Sequence, residues 1–114
     1  MSKSLNARCI RRWTVEFKGR CDSKHSPYWR KHHLRSYIRE CALTTADCMV
    51  ERMAEDNARV AFFGYRYGWS PEFSAWYDER REAYLKEVRR YLNKTATNDE
   101  VDEEIQNELE AWND

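Results

Sequence analysis

Cys21, His25, His32, His33, Cys41 and Cys48 are all possible metal ligands. Structural zinc sites use close pairs, such as Cys-x2-Cys followed by His-x3-His, because four ligands must converge on one tetrahedral centre. Only Cys21-x3-His25 is a tight Cys/His pair, and its neighbours fall at irregular spacings. Cys41 and Cys48 are seven apart and share a helical face, which two small core residues would do equally. The pattern therefore predicts neither metal nor cofactor. Cys and His coexist, so a Cys–His dyad assembled in space stays open. No nucleophile elbow, Gly-rich phosphate loop or HExxH motif is present. Glu72, Asp78, Glu79 and Glu82 read as first-turn and surface carboxylates. The expectation is a protein that is not an enzyme.

Charge and ring chemistry have a better basis. Residues 1–40 carry eleven Lys/Arg against three Asp/Glu, residues 41–97 nine of each, and residues 98–114 eight acids and no base, so a net charge of zero hides a steep gradient. Such asymmetry points to interaction surfaces, or to a tail that folds back and screens the head. The basic head interleaves Arg11, Arg12, Arg20, Lys24, Arg30, Lys31 and Arg35 with Trp13, Tyr28 and Trp29. Phosphates attract such cations and unpaired bases stack on such rings, which makes this segment a candidate contact for nucleic acid or an acidic surface. The tight glycine turn and short recognition helix of a helix–turn–helix reader are missing. The acidic tail reads either as a solvated appendage or as a small mimic of nucleic acid.

The densest feature is FFGYRYGWSPEF, from Phe62 to Phe73. It holds six aromatic residues and two of the three glycines. Interface centres are enriched in Trp, Tyr, Phe, Met and Arg. A chain of 114 residues has little interior in which to hide sixteen aromatics. Tyr65, Arg66, Tyr67, Trp69 and Pro71 are therefore the candidate partner-binding residues, with Arg59 close by. Phe62, Phe63 and Phe73 are expected in the core. The bond before Pro71 follows Trp69-Ser70, which makes it a candidate cis/trans site and a candidate prolyl isomerase contact.

These groups must be positioned by helices. Hydrophobic residues are 41% and charged residues 35%, with only three Gly and two Pro, which suits a few long helices better than a many-turned β fold. Ser26-Pro27 and Ser70-Pro71 each pair a capping hydroxyl with proline at the first helical position. Leu34, Tyr37, Ile38 and Cys41 supply the apolar face of a first helix near 27–41, and Leu43-Thr44-Thr45 is expected to break it. Met49, Val50, Met53, Val60 and Ala61 stripe a second, near 46–63. Phe73, Trp76, Tyr77, Tyr84, Val88, Tyr91 and Leu92 stripe a third, near 71–94. Trp13, Val15 and Phe17 alternate with polar residues, so residues 13–17 read as a lone strand or an irregular segment after a loose arm at 1–8. Val101, Ile105, Leu109 and Trp112 share one face of an acidic amphipathic helix. The reading is mainly α, with a helical domain over 1–97 and an acidic tail over 98–114.

No apolar run approaches the length of a membrane span or a signal peptide, so the expected compartment is the cytoplasm, with reduced thiols. The segments WTVEFKGRCDSKHSPYWRKHH and FFGYRYGWSPEFSAWYDERREAYL resemble host-takeover proteins of tailed bacteriophages, most of all the anti-RecBCD proteins of short-tailed lambdoid Salmonella phages. The resemblance covers roughly residues 1–95 and carries no defining motif. It implies a non-enzymatic modulator that binds a larger host protein, such as the RecC subunit of the RecBCD recombination nuclease, in the bacterial cytoplasm. An anti-CRISPR-like or other anti-defence inhibitor has the same sequence character.

Overall fold

The computed structural model describes residues 4–20 and 33–113, and these are helical almost throughout, so the mainly α reading is borne out. Four helices follow in order among the described residues: α1 Leu5–Arg20, α2 Arg35–Phe63, α3 Pro71–Thr95 and α4 Asn98–Asn113. The helix start expected at Ser26-Pro27 lies outside the described residues.

Residues 13–17 are not a strand or an irregular segment. They belong to α1, whose first turn Ser4 caps: its Oγ accepts from the Ala7 N–H at 3.2 Å and its carbonyl from the Arg8 N–H at 3.0 Å. Leu5, Cys9 and Trp13 recur every fourth residue and are fully buried. Phe17 continues the stripe, stacked on Trp13 with centroids 5.4 Å apart. Val15, the middle residue of the apparent alternation, is 52% exposed.

The break expected at Leu43-Thr44-Thr45 does not occur either, and α2 runs unbroken for 29 residues. Threonine is only mildly unfavourable in a helix when its hydroxyl finds a partner. Thr45 is fully buried, and its Oγ1 accepts from Trp13 Nε1 at 2.8 Å while lying 3.0 Å from the Cys41 carbonyl. The buried face of α2 is Ile38, Cys41, Ala42, Thr45, Ala46, Val50, Ala54 and Ala58. Met49 and Met53 are only half-buried, and Val60 and Ala61 are exposed, so the expected stripe drifts outward along the helix. The alanines let neighbouring helices approach closely, and α2 packs against each of the other three.

Both ends of α3 follow the sequence. Ser70 is the N-cap, accepting the Phe73 N–H on Oγ at 3.0 Å, with Pro71 opening the helix and Glu72 in its first turn. At the start of α4, Thr97 Oγ1 accepts from the Glu100 N–H at 3.2 Å, a Thr-x-x-Glu start. Val101, Ile105 and Leu109 then join the main core with residues from α1, α2 and α3. Trp112 lies outside the described side chains. The tail does fold back on the head, where Arg12 forms a two-pronged ion pair with Asp102 at 2.7 and 2.8 Å, and it also reaches the neutral middle, where Arg52 forms another with Glu104 at 2.6 and 3.0 Å.

Glu108 completes the polar part of this core. Its Oε2 lies 2.7 Å from Thr45 Oγ1, and its buried Oε1 has no hydrogen-bond partner among the described residues. Thr45 has one proton for two acceptors, the Cys41 carbonyl and Glu108. Burial pushes the Glu108 carboxyl above its ordinary range, and nearby Glu104 adds to this, against the Thr45 contact and Arg52.

Candidate functional site

The α2–α3 connection is built on two glycines with different tasks. Gly64 ends α2 in the left-handed region at φ 86°, where its N–H donates to the Val60 carbonyl at 2.9 Å. Gly68 leaves room for a ring: a Cβ there would sit 2.5–2.9 Å from the Phe63 side chain. With the Ser70 cap, both ends of the connection are pinned, and GYRYGW has little freedom to retract.

Beneath it lies a second, smaller core to which, among the described residues, α2 and α3 contribute: Ala58, Phe73 and Tyr77 with Phe63, Trp76 and Tyr84 at its edge. Ring contacts hold it together. Phe73 stacks on Tyr77 at 5.8 Å, and Phe63 meets Phe73 at 5.4 Å. The expectation that Phe62, Phe63 and Phe73 are all core holds only for Phe73, which is 2% exposed. Phe63 is half-buried, and Phe62 is 37% exposed while touching Phe73 and Trp76 edge-on or tilted.

Above this core the aromatic residues face outward. Tyr65, Tyr67 and Trp69 are 55%, 85% and 65% exposed. Arg66 is exposed, with its guanidinium 5.7 Å from the centre of the Tyr67 ring, and Pro71 is exposed at the start of α3. Arg80 lies 4.6 Å over the Trp76 ring at the margin. Arg59 is structural: it sits over Phe73 at 5.8 Å and pairs with Glu55 at 3.6 Å and Asp56 at 3.5 Å. No cis peptide bond occurs among the described residues, and the Ser70–Pro71 bond is trans.

The basic candidates are less well grouped. Arg11 and Arg35 are exposed, while Arg12 is committed to Asp102. Lys24, Arg30 and Lys31 lie outside the described residues, as does the side chain of Arg20. Of the suggested metal ligands, Cys21, His25 and His32 also lie outside. Among the described residues no group of three or more His, Cys, Asp or Glu is placed to hold a metal. Burial raises the Cys9 thiol to about 12 and also raises Cys41 and Cys48. A thiol is nucleophilic only as thiolate, so these upward shifts disfavour all three as nucleophiles. No helix of the described residues is long and apolar enough to cross a membrane.

Comparison with protein-family models, with curated proteins and with solved structures gives no match to this chain.

Proposed function

We propose that this protein acts by binding a larger protein, with Tyr65, Tyr67 and Trp69 as anchors and Arg66 and Pro71 beside them. The observation that carries this reading is the exposure of all three rings on a connection pinned at both ends. A soluble chain gains about 25 cal/mol for each Å² of apolar surface it removes from water. Here two capped helices hold that surface outward instead. Tyr, Trp and Arg are the side chains that most often dominate binding energy, and a preformed anchor limits the ordering cost of association.

The target class follows from the bacteriophage resemblance: a host nucleic-acid-processing enzyme, with the RecC subunit of RecBCD the first to test. Binding would modulate that enzyme sterically or allosterically, without chemistry by this chain. Titration of purified RecBCD with wild type and Trp69→Ala by calorimetry tests both parts. Trp69→Ala is expected to weaken binding by about thirtyfold or more, the effect of an anchor worth about 2 kcal/mol. Its far-UV circular dichroism should match wild type. Equal affinity of the two proteins would remove Trp69 as an anchor, and no binding by wild type would remove RecBCD as the target.

A further inference from the structure

A second surface lies on the flank of α2, away from the aromatic turn. Helices α3 and α4 both pack on α2 or its neighbours, but not on each other. The gap between them leaves a depression of about 280 Å³, and a second of about 170 Å³, formed by α2 and α3, adjoins it and shares Met53. Their floor is apolar, formed by Met49 and Met53 of α2 with Val88 and Leu92 of α3. Tyr91 stands at the edge, 51% exposed. Each depression is open and smaller than the roughly 300–1,000 Å³ of a small-molecule site, so each suits a side chain of a docked segment.

The rim has one sign. Glu100 and Glu103 line it from α4 and Glu87 from α3, all exposed, and none of them forms an ion pair among the described residues. Arg52, the basic residue of the lining, is neutralised by Glu104. Glu100, Glu103 and Asn107 follow one face of α4, opposite its buried Val101 and Ile105. Apolar pockets in a row beneath unpaired carboxylates are complementary to a helix with apolar residues on one face and Lys or Arg along its margins. Methionine suits the floor, because an unbranched thioether repacks around different apolar side chains. An acidic segment or a nucleic acid would meet like charge.

We propose that the Met49/Met53 groove between α3 and α4 docks a cationic amphipathic helix of a partner protein. The site is separate from the aromatic turn, and its test does not depend on Trp69. The chain has three methionines, Met1, Met49 and Met53, so methyl-labelled methionine gives signals that report the groove directly. The probe is a short Leu/Lys peptide, helical and amphipathic by design, with a control carrying Glu for every Lys. The Leu/Lys peptide is expected to shift the Met49 and Met53 methyls saturably, and added salt should weaken it. The Glu control should shift neither. Glu100→Gln/Glu103→Gln should weaken binding about tenfold, whereas Trp69→Ala should bind as wild type. Stationary Met49 and Met53 signals, equal shifts with the Glu control, or an undiminished affinity in the double variant would each overturn the proposal. Shifts that grow with protein concentration before any peptide is added would overturn it in favour of a second copy of this chain.

Discussion

Trp13 and Trp69 are the same residue with opposite fates, one fully buried and the other 65% exposed. Trp13 lies where α1, α2, α3 and α4 all contribute to one core. Trp69 lies beyond a core that, among the described residues, α2 and α3 build. At about 1.5 Å per residue, α1 with 16 residues is some 20 Å shorter than α2 with 29. Among the described residues no third helix joins this small core, which is held by ring-on-ring contact, and Tyr65, Tyr67 and Trp69 stay exposed. Large aromatics therefore mark the core at one end and an exposed surface at the other, and the number of described helices meeting there separates the two.

The largest test of that contrast is a pair of truncations. Trp13→Ala should lose about 3–5 kcal/mol in denaturant unfolding, from a lost ring and a lost buried hydrogen bond to Thr45. Trp69→Ala should stay within about 0.5 kcal/mol of wild type. Similar losses in both would erase the distinction between the two ends.

A middle-sized effect is expected at the tip itself. In Gly68→Ala the new methyl must displace the Phe63 ring, at a cost of about 1–3 kcal/mol. Near-ultraviolet circular dichroism should change, while amides of α1 and α4 keep their hydrogen-exchange protection. Loss of protection throughout would mean that the tip and the main core unfold as one unit.

The smallest effect sharpens the other end. The Glu108 carboxyl is raised in the folded state, so folding favours its protonated form. Its contribution is fully present below the ordinary carboxylate range and is lost as pH rises through the raised folded value. Thermal midpoints from about pH 4 to about pH 8 should therefore gain least, or fall most, in wild type, and Glu108→Gln should remove that part of the slope. Parallel profiles for the two proteins would show that this carboxyl ionises freely.

Much of this arrangement was legible in the sequence, for identifiable reasons. Ser70-Pro71, Gly64 and the spacing of Val101, Ile105 and Leu109 are local signals with local causes, and the helices end and face as they predict. The exposure of Tyr65, Tyr67 and Trp69 follows from too many rings for a small interior. The start of α1 was lost because Trp13 and Phe17 fit both a period of two and a period of four. Leu5 and Cys9 were the residues that could have decided it, with Ser4 as their cap. Thr45 looked like a helix breaker because its partners, Trp13 and Glu108, lie 32 and 63 residues away. The groove between α3 and α4 left no trace, since its floor and rim come from three separate helices.

The ion pair between Arg12 and Asp102 joins residues 90 apart, and Leu5 N–H donates to Asn93 Oδ1 across 88. A ribosome releases the first of each pair long before the second. Leu5, Cys9 and Trp13 therefore emerge in the cell as an amphipathic segment without its final partners, and the main core cannot close until Val101, Ile105 and Leu109 have followed. Of the residues in that core, Leu5, Cys9 and Trp13 are therefore the ones that wait longest for cover.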